Sequence, residues 1–348
     1  MVSSLLIFIG PLQIYAQEQD KIPVKTKQLL REIIASDSSE NERNSFLALT
    51  VENDSLGRGT DKNYTSGVRL SYLDVEREPS RFIHWVNDIV PLFFFNKNTG
   101  TTYSLGQNLY TPSDTKHVKQ LSNTRPWAAF TYGSVGLSTL IEDHVDDVEL
   151  AVGIVGPWAL GEESQSFIHS LLGNDDPKGW SNQIDNELGF VLSSRRRWPQ
   201  LFTHEFINLL FSLEPSIGGS VGNVYTLAET GLALHIAPAL NRWQDTPLLA
   251  RPSMPGSGFF QSQKSKIGWF AFGGLQGRLV ARNIFLDGNT FHDSYHVDKK
   301  PIVVDVNAGI AFTIGNTRLS YTLVYRTNEF DSQDNNALFG AVSIGHRF

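Results

Sequence analysis

A long period-two alternation of apolar with small or polar residues restricts the fold of this chain more than any other feature. From 302 to 314 the even positions are Ile302, Val304, Val306, Ala308, Ile310, Phe312 and Ile314, and the odd positions are Val303, Asp305, Asn307, Gly309, Ala311 and Thr313. Successive side chains of a β-strand point to opposite faces, so this stretch predicts a strand with one apolar face. Residues 68–72, 319–326 and 338–348 repeat the pattern.

The length of these runs separates two architectures. Strands of a soluble sandwich have about 5–6 residues, whereas a strand that crosses a membrane in a barrel needs about 9–11. Several runs are of the longer kind, and the chain ends on an aromatic residue, Phe348, as bacterial outer-membrane barrels do. Tryptophans near run ends suggest an interfacial girdle: Trp127, Trp180, Trp198, Trp243 and Trp269. A closed, all-β, antiparallel transmembrane β-barrel is therefore predicted.

The alternation recurs about twelve times, which predicts a barrel of about 12 strands in a single domain over 45–348. The runs lie near 44–53, 65–76, 101–109, 127–139, 147–156, 183–194, 206–220, 224–237, 268–283, 302–314, 317–327 and 337–348. Single-chain bacterial barrels have an even number of strands, and the predicted number agrees with that rule.

Composition excludes several classes of function. The net charge of −7 argues against a nucleic-acid-binding protein, which usually carries a basic stripe. The chain has no cysteine, so disulfides, thiolate metal sites and a cysteine nucleophile are excluded. The 29 Gly and the 22 Phe, 10 Tyr and 7 Trp favour β structure. No segment reaches the roughly 18 apolar residues of a transmembrane helix.

The N-terminus predicts export. Residues 1–16 are apolar and too short to span a bilayer, which is typical of a signal peptide. Residues 17–44 are polar and predict an exposed N-terminal extension with room for one short helix. No chemistry is assigned to this extension.

One segment interrupts the alternation with a helical pattern. The spacing of Ile168, Leu171 and Leu172 predicts a short helix that Gly173 ends. Gln165 and His169 are four residues apart, so they project from the same face of that helix. A helix between two barrel strands is unusual, and long loops of this kind tend to carry function.

A second notable stretch runs from Val51 to Tyr72 and contains the pair Asn53-Asp54. Asn and Asp are poor strand formers, so the pair is expected at the end of a strand. An anionic oxygen beside an amide suits a hard cation such as calcium, and an Asx turn that closes a hairpin is the alternative. Strict alternation would send the two side chains to opposite faces, so a joint role requires a bulge or a strand end.

These motifs together resemble the outer-membrane lipid A 3′-O-deacylase (LpxR-like) family, over essentially all of Phe46 to Phe348. The motifs are Glu52-Asn53-Asp54; Thr60-Asp61 with Tyr64-Thr65-x-Gly67; Tyr110-Thr111-Pro112; Arg125-Pro126-Trp127-Ala128; Gly156-Pro157 with Gln165-x3-His169-x3-Gly173; Gly179-Trp180-x2-Gln183-x3-Glu187; Asp287-Gly288-Asn289-Thr290-Phe291; and Arg326-Thr327-x-Glu329-Phe330. The family consists of calcium-dependent barrels that remove the acyl chains at the 3′ position of lipid A.

The resemblance implies a set of catalytic residues. His169 would be the general base, since imidazole titrates close to neutral pH. Gln165 would orient His169 or the substrate, Asn53 would donate to the oxyanion, and Thr65 would supply a hydroxyl near the metal or the substrate. From the residues alone, His169 could equally be an interfacial or lumen histidine that only makes hydrogen bonds.

The resemblance also implies a Ca²⁺ cofactor and a membrane substrate. Asp54 and Asp175 would hold the ion, and Asp176 is an alternative to Asp175. Lys116 would contact a phosphate of lipid A, although an ordinary exposed lysine is the competing interpretation. The implied location is the bacterial outer membrane. The implied partners are lipopolysaccharide, outer-membrane lipids and the barrel assembly machinery.

The site is expected near the outer rim of the barrel, opening sideways to the lipid leaflet that contains the ester. Two rival functions stay open: a non-catalytic barrel, such as a pore or a structural protein, and an outer-membrane phospholipase of similar chemistry. A Ser-His-Asp hydrolase is disfavoured, because Gly256-Ser257-Gly258 and Gly133-Ser134 lack the strand-turn-helix context of a nucleophile elbow.

Overall fold

A computed structural model describes residues 45–57, 63–74, 99–141, 143–173, 175–239, 244–251, 255–260 and 263–348. The predicted signal peptide (1–16) and the polar extension (17–44) lie outside the described residues, as does Trp243.

The described part of the chain forms thirteen strands: β1 (Phe46–Asn53), β2 (Asn63–Asp74), β3 (Thr99–Thr111), β4 (Ala128–Leu140), β5 (Val145–Val155), β6 (Glu187–Arg197), β7 (Phe202–Phe206), β8 (Leu209–Gly222), β9 (Tyr225–Pro238), β10 (Gln263–Asn283), β11 (Ile302–Gly315), β12 (Thr317–Arg326) and β13 (Ala337–Arg347). It also contains two α-helices, α1 (Gly161–Leu172) and α2 (Ile284–Asp287), and 3₁₀ turns at Asp54–Leu56, Pro157–Ala159 and Trp180–Asn182. Within these residues, neither α-helix has the length and apolar character needed to cross a membrane.

The strands close into one antiparallel barrel. Apart from β6 and β7, which do not pair with each other, consecutive strands pair, and β1 pairs with β13. The two strands β6 and β7 follow one another along the same edge of β8, so they occupy a single strand position. The β6–β8 pairing completes the circle. The barrel therefore has twelve strand positions, and the predicted fold class is confirmed.

The two faces of the wall differ as the alternation predicts. On β11, the even positions Ile302, Val306 and Ile310 are exposed outward, whereas Asp305 and Ala311 are buried inside. The other strands follow the same rule, so large exposed hydrophobic side chains cover the outer surface. An apolar outer band around a polar interior is the structure of a membrane barrel.

The two rims of the barrel are different. Phe46 begins β1 and Arg347 ends β13 at one rim, which we call the terminus rim; it has tight turns at 141–144, 207–208 and 316. The opposite rim, where β1 ends at Asn53, carries the connections 112–127, 156–186, 284–301 and 327–336, and we call it the loop rim. The terminus rim also carries the long connections 75–98 and 239–262, the second of which contains the plug described below. Short turns face the periplasm and longer loops the exterior in outer-membrane barrels, and the tight turns are concentrated at the terminus rim, so we take the loop rim as the outer one.

Residues 244–251 and 255–260, which we call the plug, fold into the lumen from the terminus rim. The backbone of Ala250 is held by the barrel wall: its carbonyl accepts a hydrogen bond from the hydroxyl of Tyr132 at 2.8 Å, and its N–H donates to Oε1 of Glu52 at 3.1 Å. Nearer the terminus rim, Nη2 of Arg318 donates to the carbonyl of Gly258 at 2.7 Å. The lumen is thus occupied by protein at more than one level.

The expected tryptophan girdle is wrong for two of its members. Trp127 and Trp180 are buried, with ring centroids 5.1 Å apart, and do not face lipid. They belong to a cluster that covers part of the outer wall at the loop rim, together with Leu109, Ala129 and Ala159. The sequence places Trp127 at a strand end but does not show that the segment after α1, with Gly179 and Trp180, packs on it. Trp198 and Trp269 are partly exposed.

Candidate functional site

The end of β1 places Asn53 on the outer surface of the wall. Leu49 and Val51 are exposed to the outside, so Asn53, two residues further, points the same way. Its Nδ2 donates to the carbonyl of Thr65 at 3.1 Å, and its Oδ1 accepts the N–H of Ser55 at 2.7 Å. The strand stops there and Asp54 opens a 3₁₀ turn, which is the strand end that a joint role of the two residues requires.

A β-bulge re-aims Thr65 on the neighbouring strand. Tyr64 pairs with Tyr110 and Ser66 pairs with Leu109, so Thr65 has no partner in the register. Its Oγ1 lies 2.6 Å from Oγ1 of Thr111, at the end of β3. The bulge therefore directs the Thr65 hydroxyl towards the same outer face as Asn53, while Tyr64 stays inside.

Helix α1 lies on the outside of the barrel, against β3 and β4. The carbonyl of Ala159, just before the helix, accepts hydrogen bonds from the outward side chains of Gln107 and Thr131, both at 2.7 Å. At Gly161, the first helical residue, a Cβ atom would lie 2.5 Å from Cβ of Ala129 on the wall. Glycine is needed there because any side chain would push the helix off the barrel.

The buried face of α1 presents Gln165 and His169 to the wall. Gln165 is 3% exposed, and its Oε1 accepts the indole N–H of Trp180 at 2.8 Å. Its Nε2 is buried with no acceptor within hydrogen-bond distance among the described residues. Trp180 thereby fixes the amide orientation and leaves a donor for a bound molecule.

His169 is held in a single tautomer. It is 6% exposed, and its Nδ1 lies 2.6 Å from the backbone carbonyl of Asp175. A carbonyl oxygen only accepts, so Nδ1 carries the proton and Nε2 is the basic nitrogen of the neutral ring. The chain returns to His169 because Gly173 ends α1 with φ of 71° and reverses its direction.

The two proposed metal ligands differ in their surroundings. Asp54 is 3% exposed, whereas Asp175 and Asp176 are both exposed. In the part of the chain that the structure describes, no cluster of three or more His, Cys, Asp and Glu side chains suited to a metal occurs. An ion at this rim would therefore need further oxygen ligands besides the two carboxylates.

The donors at this end of β1, β2 and β3 have the chemistry that calcium prefers. They are the carboxylate of Asp54 and the hydroxyls of Thr65 and Thr111, all oxygen atoms, with no thiolate and no imidazole among them. Calcium takes 6–8 oxygen ligands in flexible geometry and accepts waters and carbonyls among them. The residues present fit this ion in kind.

Lys116 lies in the loop 112–127 with its side chain exposed. Its N–H donates to Oδ1 of Asp114 at 2.9 Å, and this hydrogen bond, assisted by His117, lowers the pKa of Asp114. A backbone hydrogen bond joins this loop to the segment that follows α1: the N–H of Lys178 donates to the carbonyl of Thr115 at 2.9 Å. The lysine therefore borders the same segment that holds His169.

The sequence-derived residues fall into two groups on one continuous surface. Asn53, Asp54 and Thr65 lie at the loop rim on β1 and β2, and Gln165 and His169 lie under α1, over β3 and β4. These four strands are consecutive in the sheet. Asn53, Thr65, Gln165 and His169 are on the outer side of the wall, and Asp54 is buried in the turn that follows Asn53.

Sequence reasoning gave no role to three groups that position this site: Trp180, which holds Gln165; Thr111, which meets Thr65; and the carbonyl of Asp175, which orients His169. Trp180 and Thr111 both stand in the quoted motifs. The motifs point to these two residues but do not show which residues they contact.

Comparisons with known proteins agree with this architecture. A family model described as outer membrane protein LpxR matches residues 2–348. LpxR from Salmonella typhimurium superimposes with a TM-score of 0.70 at 20% sequence identity, over 87% of this chain and 100% of that one. The β domain of the Bordetella autotransporter BrkA gives a TM-score of 0.41 at 8% identity, over 88% of this chain and 100% of that one. A search of curated proteins gave no match.

Proposed function

Since the chain belongs to the LpxR family of outer membrane proteins, we propose that it is a lipid A 3′-O-deacylase. The substrate is the 3′-linked acyloxyacyl ester of lipopolysaccharide, which lies in the outer leaflet. One observation carries the proposal: a buried histidine and a buried amide lie between α1 and the lipid-facing wall at β3 and β4, on the same sheet whose first strand ends in the outward Asn53. A soluble substrate would not require a site on that face.

The proposed reaction is hydrolysis with His169 as general base. Nε2 takes a proton from water as the water oxygen bonds to the ester carbonyl carbon, and the carbonyl oxygen becomes an oxyanion. The Nδ2 of Asn53 has a second hydrogen besides the one given to Thr65, and it donates to that oxyanion. The bond to the sugar oxygen then breaks, and the imidazolium returns the proton to that oxygen. The products are a free 3′ hydroxyl and an acyloxyacyl fatty acid.

The other groups bind and orient. Gln165 donates its Nε2–H to the substrate, because Trp180 already occupies its Oε1. Lys116 contacts a phosphate of lipid A as a point charge at the edge of the site. Thr65 supplies a hydroxyl to the substrate or to the ion.

Calcium is the proposed cofactor, held by Asp54 and Asp175 together with other oxygen donors. When bound, such an ion polarises an ester carbonyl as a Lewis acid. The chemistry of Asp54 supports this role, since it brings a carboxylate to the end of β1 beside the hydroxyl-bearing strands β2 and β3, and carboxylate oxygens are ligands that calcium accepts.

The occupied lumen weighs against the rival pore. A porin keeps a water-filled channel, whereas here the plug binds the wall through Ala250 and Arg318, and Arg251 forms an ion pair with Asp305 at 3.1 Å. Buried ion pairs of this kind suit a filled interior. Gln165 and His169, in turn, lie under α1 on the outside of the wall, where a pore has no need of them.

The deciding experiment is mass spectrometry of lipid A after incubation with detergent-solubilised protein. We expect loss of the 3′ acyloxyacyl group in calcium, no loss in chelator, and no loss with His169→Ala in calcium. A matched variant, His204→Ala, replaces an exposed histidine on β7 and should cleave normally. Unchanged lipid A in calcium would reject the function, and an active His169→Ala variant would reject the mechanism. Preferential cleavage of phosphatidylethanolamine offered in parallel would assign the phospholipase instead.

A further inference from the structure

Helix α1 has three distinct faces, of which the catalytic proposal uses one. With about 100° between successive residues, Gly161, Gln165 and His169 share the face turned to the barrel, and they are buried. The remaining circumference is exposed. Its charged and its large apolar residues lie on separate sides, and the half-buried Ser164 is the one polar residue within the apolar sector.

The polar exposed residues occupy the sector on one side of the buried face. They are Glu162, Glu163 and Ser170, with the half-buried Ser166 among them. The apolar exposed residues occupy the opposite sector, within an arc of about 100°. They are Phe167 (63% exposed), Ile168 (46%) and Leu171 (67%). A loop helix that lay wholly in water would not expose three large apolar side chains on one side.

The surface around the helix continues this apolar sector. Trp158 (72% exposed) and Leu160 (55%) precede α1, and they attach to the outward side of β3 and β4 through the carbonyls of Ala159 and Leu160. Leu105 on β3 is 67% exposed, and Leu188 on β6 is 65% exposed. The helix is therefore flanked by wall that already faces acyl chains.

From this segregation and continuity we infer that α1 is an interfacial helix of the outer leaflet, with Phe167, Ile168 and Leu171 immersed among the acyl chains of membrane lipids. Its acidic side faces water and its third side carries His169 against the wall. Amphipathic helices lie in this manner at the boundary between headgroups and acyl chains. The lipid-immersed side fixes the depth of the helix, and hence the depth at which His169 is presented.

This inference goes beyond the proposed function, because it concerns where the helix lies and does not require turnover. The occupant is lipid rather than a protein. The apolar sector of α1 continues the lipid-facing wall of the barrel. No charged residue lies in this sector. The acyl chains of any phospholipid or lipid A satisfy this surface equally.

The absence of cysteine allows a clean test by site-directed spin labelling. Single variants Phe167→Cys and Leu171→Cys are labelled in the full chain, reconstituted in phosphatidylcholine vesicles. Glu163→Cys on the polar side of the same helix is the matched control, and Leu105→Cys on the wall is the lipid reference. Power saturation then compares collisions with oxygen, which concentrates in lipid, and with a water-soluble nickel chelate.

We expect the ratio of oxygen accessibility to nickel-chelate accessibility at labels 167 and 171 to exceed the ratio at label 163 by at least about tenfold. The ratio at labels 167 and 171 should approach that at label 105. The inference would be overturned if the labels at 167 and 171 were as accessible to the nickel chelate as the label at 163. Low accessibility to both reagents, with spin–spin broadening between copies, would overturn it too by assigning the surface to a protein contact. Because the readout needs no substrate, it stands or fails separately from the deacylase assay.

Discussion

The indole N–H of Trp180 donates to Oε1 of Gln165 at 2.8 Å, across the boundary between α1 and the segment that follows it. This bond sets which end of the amide faces the site. It also couples the helix to the wall, because the Trp180 ring packs on Trp127. The orientation of Gln165 is therefore a property of the docked helix and not of the helix alone.

Trp180→Phe should lower the kcat of lipid A deacylation by about two- to tenfold, since a lost buried hydrogen bond is worth roughly 0.5–1.5 kcal/mol. The ring still packs, so the barrel should keep its thermal stability within the effect of one hydrogen bond. Trp198→Phe, at the terminus rim, is the control and should leave kcat unchanged. An unaltered rate in Trp180→Phe, with Gln165→Ala impaired, would show that the indole does not position the amide.

The barrel could be predicted from the sequence because the alternation that defines each strand lies within a short segment of the chain. Each strand alternates for about ten residues, and the alternation alone states which face meets lipid. All twelve predicted runs became strand positions. The helix was predictable for the same reason, since Gly173 ends it as expected and Gln165 and His169 share its buried face.

The plug could not be predicted, because its contacts are remote and its sequence has no periodicity. Thr50 donates to the carbonyl of Leu248 from 198 residues away, and Glu52 receives the N–H of Ala250 from the same separation. The residues Gly256-Ser257-Gly258 carry no pattern that predicts a place in the lumen. The girdle prediction is wrong for Trp127 for a similar reason, since Gly179 and Trp180, from the segment after α1, pack on its ring.

Calcium dependence should distinguish the two neighbouring acidic residues after α1. Asp175→Asn should raise the calcium concentration for half-maximal activity by about tenfold or more, because one carboxylate ligand loses its charge. Asp176→Asn is the matched control, with an equally exposed side chain one residue further, and should behave like the unmodified protein. Titration of activity with buffered calcium measures both. The reverse pattern would assign the ligand to Asp176.

Close approach of α1 to the wall should depend on Gly161. In Gly161→Ala the new Cβ meets Ala129 at 2.5 Å and the Trp180 ring at 2.7 Å, so the helix must shift outward. We expect a fall in kcat of at least about tenfold, since a displacement of about 1 Å can cost a hundredfold, while the barrel stays folded. Gly173→Ala is not equivalent, because φ is positive there. Gly277→Ala, with open space around its Cβ position, is the suitable control.

The buried carboxylate of Glu52 should connect the plug to the site. It accepts the hydroxyl of Tyr64 at 2.5 Å and the N–H of Ala250 at 3.1 Å, directly beside Asn53. Tyr64→Phe should destabilise the barrel by about 1–3 kcal/mol, since a buried charged acceptor loses a donor. Unfolding in urea from detergent micelles measures this. Tyr103→Phe, an outward residue that is 45% exposed, should have little effect. Equal stability of the two variants would remove Glu52 from this role.

The tight turn between β4 and β5 should make barrel stability depend on pH. Burial lowers the pKa of His144, but the hydrogen bond to Asp143 at 2.6 Å and the ion pair with Asp146 at 3.5 Å outweigh this and raise it to about 9. The pKa of His144 is higher in the folded protein than in the unfolded chain, where it is about 6.5. The stabilisation that protonated His144 provides is therefore fully present below about pH 6.5 and is lost as the pH rises through about 9. The free energy of unfolding should therefore fall by about 1–3 kcal/mol between pH 6 and pH 10.

His144→Gln should remove most of that slope while keeping the turn, because a neutral amide does not titrate. His204→Gln, an exposed histidine on β7 near the same rim, is the matched control and should retain the slope. Urea unfolding of both variants and of the unmodified protein at pH 6, 8 and 10 gives the comparison. A slope that persists in His144→Gln would place its origin in other groups. A slope lost in both variants would show that the effect is not specific to the protonated imidazole of this turn, and would also contradict the prediction.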